Sequence, residues 1–228
     1  MSHLMVLTEG AQTGTEECFI GGKPKLPPDS SVPQCVLCGA DQTFLFQVAF
    51  PGEHVWTGLS LAVFLCTNCA DENHLIPEML PGVLAGADIP VNFLTNYQRN
   101  FHFLVFPTES GQFDTRYPER VKFSPIRLQR TGSGLGMGLI GGTPAWVMED
   151  ESPRTYGSRV PMHFLLQIHA GLEFRMVQGA PPQMEVGLAG EPEPSPHDFY
   201  QLFIGNVVYF FGTETRTPPL VYAITQVS

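Results

Sequence analysis

Apolar residues in this chain gather in short, nearly unbroken runs separated by polar stretches rich in glycine and proline. "TFLFQVAF" (43–50), "LAVFL" (61–65), "HFLVF" (102–106), "HFLLQIHA" (163–170) and "VVYFF" (207–211) are all of strand length. Runs that are apolar at successive positions predict strands covered on both faces. "NFHFLVFP" (100–107) and "ERVKFSPIRLQ" (119–129) read as further strands. None of these runs approaches the ~20 residues that a membrane-crossing helix needs. With Gly 23 and Pro 21, the pattern predicts many turns and few long helices. The fold class it predicts is β-rich α+β.

The pattern repeats. "FIGGKPKLP" (19–27) and "LIGGTPAWVMED" (139–150) share Ile-Gly-Gly-x-Pro, with Ile20 and Ile140 120 positions apart. At the same offset Phe44 matches Phe164, Leu45 matches Leu165, Gln47 matches Gln167 and Val48 matches Ile168. "LAVFLC" (61–66) then resembles "VVYFFG" (207–212) at an offset of 146. The second copy therefore carries about 26 extra residues, which fall in the Pro-, Gly- and Glu-rich stretch 177–199 and read as an exposed loop. Each copy is a Gly-Gly-x-Pro turn, a connector, a strand, a loop and a second strand. Glycine opens backbone conformations closed to other residues, and the following proline stiffens the exit. The expected architecture is one domain of two pseudo-symmetric β-units produced by internal duplication. Its parts are an N-terminal extension (1–18), a first repeat (19–83), connecting strands (84–138) and a second repeat (139–228). Gln47 and Gln167 each interrupt an apolar strand and are expected to hold the Gly-Gly turn of their own unit, because a buried amide must hydrogen-bond.

Four of the five cysteines form two Cys-x-x-Cys pairs, Cys35/Cys38 and Cys66/Cys69. One such turn aims two sulfurs at one ion, and two turns complete a tetrahedral four-thiolate zinc site. The first pair precedes the strand at 43–50 and the second follows the strand at 59–65, so an antiparallel hairpin would bring both to one end. Disulfides are the rival reading. They are disfavoured by an N-terminus, "MSHLMVLTEG", without the basic start and apolar stretch of a secretion signal. Four thiolates close the coordination sphere, so the expected zinc is structural, one per chain. At the repeat offset, Thr155 and Ser158 replace the first cysteine pair and Gly212 replaces Cys66. Cys18 is left over and reads as an idle thiol.

The net charge of -10 opposes general nucleic-acid binding, which needs phosphate neutralisation. A basic cluster (Arg116, Arg120, Lys122, Arg127, Arg130) reads as a solvated rim, with an anion site as the minority reading. The expected location is cytoplasmic, with no membrane contact. No catalytic constellation stands out. "GMGLIG" (136–141) fits the dinucleotide pattern but lacks the strand–helix setting that gives the pattern meaning. His163 and His169 lie six apart on a strand and hence on one face. With nearby carboxylates they are the candidates for an enzyme or small-molecule site in a cleft between the repeats.

The residues that carry the repeat also carry a resemblance. "IGGKPKLP … TFLFQVAF" followed by "IGGTPAW … HFLLQI … LFIGNVVYFFGTE" resembles the YwqG-like family of bacterial proteins of unknown function, over roughly residues 19–214. The first half, "IGGKP … CVLCG … FLFQV … LAVFLCTNC", is similar to the start of the programmed cell death protein two family, whose members escort a ribosomal protein. The second half has no cysteine set and departs from that pattern. The resemblance implies a β-rich scaffold that binds another protein.

The functional expectation is a non-enzymatic protein-binding module, an acidic immunity protein that neutralises a basic bacterial toxin; a chaperone-like escort is the alternative. The expected partner-binding residues are Trp56, Glu149, Asp150, Glu191 and Glu193. Trp56 reads equally well as packing over a strand edge.

Overall fold

Ten strands carry the architecture of the computed structural model, which describes residues 1–130, 136–215 and 218–227. They are β1 (His3–Leu7), β2 (Phe19–Ile20), β3 (Thr43–Ala49), β4 (Leu59–Leu65) and β5 (Phe101–Pro107). The second half supplies β6 (Ser124–Arg130), β7 (Gly138–Ile140), β8 (Val160–Ile168), β9 (Val207–Thr213) and β10 (Val221–Gln226). Their spatial order is β10-β9-β8-β7-β1-β6-β2-β3-β4-β5, and all these neighbours are antiparallel. A short parallel pairing of Asp88–Ile89 with Thr155–Tyr156, which in turn pairs with the start of β8, makes the sheet mixed.

Helix is almost absent. The described residues contain only 3-10 turns of three or four residues, so the α component expected from sequence is corrected to none. The apolar runs are rich in Phe, Val and other strand-favouring residues and lack the 3.6-residue spacing of a helix face. No helix among the described residues is long and apolar enough to cross a membrane.

Pairing registers recur 120 positions apart. Phe19 faces Gln47 and Ile20 faces Phe46; Leu139 faces Gln167 and Ile140 faces Leu166. A bulge falls between Phe44 and Phe46 on β3 and between Phe164 and Leu166 on β8. The Gly21 N–H donates to the Leu45 carbonyl at 2.9 Å, and the Gly141 N–H to the Leu165 carbonyl at 2.8 Å. Both glycines have positive φ (58° and 66°), a conformation that disfavours side chains. Gln47 Oε1 accepts from Lys25 N–H at 3.3 Å, and Gln167 Oε1 accepts from Ala145 N–H at 2.8 Å. Each glutamine thus holds the exit of the turn in its own half, as its position in the repeat suggested.

Three details differ from the sequence reading. Ala62 faces Gln47 and Tyr209 faces Gln167, so the second strands correspond at an offset of 147, not 146, and Gly212 takes the place of Leu65. Residues 3–7 of the N-terminal extension form β1, a central strand. The stretch 177–199 is not a plain loop: Met184–Val186 pairs with Pro192–Pro194, and Phe199–Tyr200 pairs with Phe174–Arg175.

The leading strands are exchanged between the halves. β1 lies against β7, and β6 lies against β2. The outer strands of the two halves then pack on each other. Phe210 meets Phe46 at 6.3 Å and Phe103 at 5.3 Å between ring centroids. All seven residues of β3 and all seven of β4 are buried. One face of this hairpin feeds the main core, and Phe44, Ala62 and Phe64 feed a satellite cluster with Phe19, Phe106 and Tyr117. Burial on both faces accounts for their continuous apolar runs.

Candidate metal centre

Thr43 pairs with Leu65 at one end of the β3–β4 hairpin, and both cysteine pairs are held at that end. The first turn is closed by a bridge between Gln34 and Asp41, by Cys35 N–H donating to the Ala40 carbonyl (2.9 Å), and by Gly39 N–H donating to the Cys35 carbonyl (2.8 Å). Gly39 has φ 75°, so the residue after Cys38 is one that turns the chain back without strain. The second turn is pinned by Cys66 N–H donating to the Asn100 carbonyl at 2.6 Å. A Thr43–Thr67 hydroxyl contact (2.6 Å) and the Met184 N–H donated to the Thr67 carbonyl (3.0 Å) also hold it.

The four sulfurs all lie within 4.8 Å of one another. Cys35–Cys69 is 3.8 Å, Cys38–Cys66 is 3.6 Å and Cys66–Cys69 is 3.5 Å. These spacings are far beyond a disulfide bond, and all five cysteines are free. A tetrahedron of sulfurs about 2.3 Å from one ion has edges of about 3.8 Å. The donor set therefore fits one four-coordinate metal ion.

Burial pushes the Cys66 thiol up to about 12 and raises Cys69, with the charge of Cys66 adding to the latter. Burial also opposes ionisation of Cys38, but the Ala40 N–H and the neighbouring thiols outweigh it and draw that group down. Without an ion the packed sulfurs resist carrying four negative charges together. A divalent cation supplies the compensating charge.

At the positions 120 beyond the first cysteine pair, two hydroxyl residues hold a carboxylate from the connecting segment. Thr155 and Ser158, at the repeat positions of Cys35 and Cys38, both bind Asp88. The Thr155 hydroxyl donates to Oδ1 at 2.6 Å, and Ser158 donates its N–H to Oδ1 (2.6 Å) and its hydroxyl to Oδ2 (2.9 Å). The Thr155 bond, followed by those of Ser158, holds the Asp88 carboxyl below the ordinary aspartate range.

The other expected site residues are scattered. Glu149, Asp150, Glu191 and Glu193 are exposed. Trp56 is corrected from a contact anchor to a core residue: it is fully buried, with Nε1–H donated to the Thr213 carbonyl at 2.9 Å. His163 lies 3.9 Å from Glu214, whereas His169 Nδ1 lies 3.0 Å from the Gly136 carbonyl. The bulge within β8 breaks the period-two alternation between them. In the basic cluster, Arg116 pairs with Asp114 and Arg130 with Glu53. Gly138 and Gly141 of the dinucleotide-like pattern belong to β7 and its exit turn, with no helix; Thr131–Ser133 before it lie outside the described residues. Burial raises the Cys18 thiol to about 11, which suits an idle thiol.

Sequence reasoning passed over Asp71 and His74, just beyond Cys69. His74 Nδ1 lies 3.0 Å from Asp71 Oδ1, and both line a cavity of about 310 Å³ beside the cysteine turn. The run "CADENH" held the only signal, and polar loops are too common for it to mean much alone.

No family model matches this chain, and no curated protein matches it.

Proposed function

We propose that this protein is a non-enzymatic protein-binding module of the YwqG-like type, an acidic cytoplasmic immunity protein that neutralises a basic toxin. The observation that carries the reading is the exposure of Glu149, Asp150, Glu191 and Glu193 on a chain of net charge -10. An acidic surface of this kind accelerates encounter with a basic partner and disfavours acidic ones. The registers repeated at an offset of 120 support an origin by internal duplication. The four-thiolate donor set supports a single zinc with a structural role, since a closed sulfur sphere leaves no position for substrate. The cysteine hairpin also favours a second reading, a chaperone-like escort, because the resemblance to escort proteins rests on those residues.

Affinity purification of the full chain from its native host, followed by mass spectrometry of the eluate, tests the proposal. A stoichiometric basic toxin supports immunity. A nascent or ribosomal client replaces that reading with escort, and recovery of the chain alone at native expression overturns both.

A further inference from the structure

The cavity beside the cysteine turn has one wall from each half of the chain. Cys66, Cys69, Asp71, His74 and Asn100 come from the first half; Gln183, Glu185, Phe203 and Ile204 come from the second, around the stretch that the first half lacks. Its volume of about 310 Å³ is at the small end for ligand sites, suited to one side chain rather than an extended molecule.

The chemistry of the walls is one-sided. None of the described lining residues is Lys or Arg, whereas Asp71 and Glu185 are carboxylates. A divalent ion on four thiolates adds roughly two net negative charges at the cavity's edge. The Asp71 contact to His74 Nδ1 fixes the ring, and among the described residues no hydrogen bond reaches its Nε2. With the proton on Nδ1, that nitrogen is an acceptor. Leu65, Leu75, Met184 and Val186 offer apolar contact for an alkyl stem, and Ala70, His197 and Gln201 complete the lining.

The second wall is held in an uncommon conformation. Phe203 and Ile204 have φ of 47° and 54°, and Gly205 follows at 76°. A β-branched residue there is strained. The turn seats Phe203 in the core against Phe101, at 5.2 Å between centroids, and leaves Ile204 half exposed at the cavity.

We infer that this cavity is the docking pocket for an arginine side chain of the protein partner. The guanidinium has only donors, arranged in a planar fork, and is weakly hydrated; the cavity supplies acceptors, negative charge and an apolar slot for the stem. The inference rests on the partner-binding reading and adds the place and the chemistry of contact.

The test is an NMR titration of the zinc-loaded, ¹⁵N-labelled full chain with N-acetyl-Gly-Arg-Gly amide. The matched peptide with citrulline, a neutral near-isostere, and spermidine serve as the other arms. The arginine peptide should shift the Thr67, Met184 and Ile204 amide signals, and the citrulline peptide should bind at least about threefold more weakly. Glu185→Gln should weaken the arginine peptide by a similar factor with the rest of the spectrum unchanged. Equal binding of both peptides, tighter binding of spermidine, no response to Glu185→Gln, or shifts confined to another surface would each overturn the assignment. The purification separates the two claims: a partner bound equally well by Glu185→Gln leaves the partner reading intact and removes the pocket. Peptide binding without any recovered partner does the reverse.

Discussion

Trp56, from the β3–β4 connection, packs its indole directly on Gly212 of β9 and donates Nε1–H to the Thr213 carbonyl at 2.9 Å. This contact joins the two halves of the chain through one side chain. A Cβ on Gly212 would collide with the indole and lie 2.8 Å from Leu165 Cδ1. The glycine is required here for space, not for its φ. Gly212→Ala should therefore destabilise the protein by about 1–3 kcal/mol, the usual penalty for overfilling a packed core. Urea denaturation with Trp fluorescence measures it. An unchanged midpoint would mean that the ring moves aside freely.

The two repeat glutamines predict an asymmetry. Gln167 both accepts from Ala145 N–H (2.8 Å) and donates to the Ala145 carbonyl (3.1 Å), whereas Gln47 only accepts from Lys25 N–H at 3.3 Å. Gln47 Nε2 is buried without a hydrogen-bond partner among the described residues. Gln167→Leu should cost about 1–2 kcal/mol, and Gln47→Leu should be close to neutral, since it also removes an unsatisfied donor. Equal losses in thermal unfolding would show that side-chain shape, and not hydrogen bonding, maintains both turns.

Much of this architecture is legible in the sequence because its signals are local. Continuous apolar runs mark β3 and β4, and Ile-Gly-Gly-x-Pro marks a turn whose first glycine needs positive φ in both halves. The cysteine centre could be placed because a hairpin joins the ends of its two strands. What could not be read depends on distant segments meeting. Nothing within His3–Leu7 shows that it will lie between β6 and β7. Trp56, in a loop of Gly, Pro and charged residues, reads as equally suited to surface or core until β9 is brought beneath it. The cavity escapes for the same reason, because Asp71 and Glu185 stand far apart in sequence. The Asp88 clamp is hidden too: Thr155 and Ser158 read as lost ligands, yet they recruit a carboxylate from another segment.

The four-sulfur centre predicts metal-dependent stability with a definite pH direction. Zinc should bind at one ion per chain. Cys66→Ser should abolish tight binding, and Cys18→Ser should leave it unchanged. Burial holds the free Cys66 thiol up at about 12 and raises Cys69, so both release protons at neutral pH when the ion binds. Affinity must then rise with pH and fall on acidification. Metal competition with a chromophoric chelator at several pH values checks the sign. A pH-independent affinity, or a cysteine-independent one, would remove the thiolate site.

His54 supplies a separate acid sensitivity. Burial lowers its pKa to about 4, and His163 and the N-terminal amine act in the same direction. The folded value lies below the ordinary 6.5, so the unfolded chain binds more protons between these values. Stability is thus fully present above about 6.5 and is lost as pH falls toward 4. After discounting for partial exposure, the loss is about 2 kcal/mol. Nδ1 accepts the Trp56 N–H at 3.0 Å, so His54→Asn keeps an acceptor while removing the titration. Compared with the parent protein, its urea midpoint should change less between pH 7 and pH 5. Parallel pH profiles would rule out His54 as the source.

The proposed acidic face makes a kinetic prediction that stability data cannot mimic. Glu149, Asp150, Glu191 and Glu193 are exposed, and neutralising them as Gln and Asn removes four negative charges without opening the core. Rim charges act mainly on encounter, so association with a basic partner should slow by about tenfold at low salt while dissociation changes little. The salt dependence of the association rate should flatten at the same time, because screening has less attraction left to weaken. Stopped-flow mixing at two ionic strengths with the partner recovered by purification gives both quantities. If the quadruple variant associates at the parent rate with the parent salt slope, these loops do not steer the encounter, and the partner must approach another face.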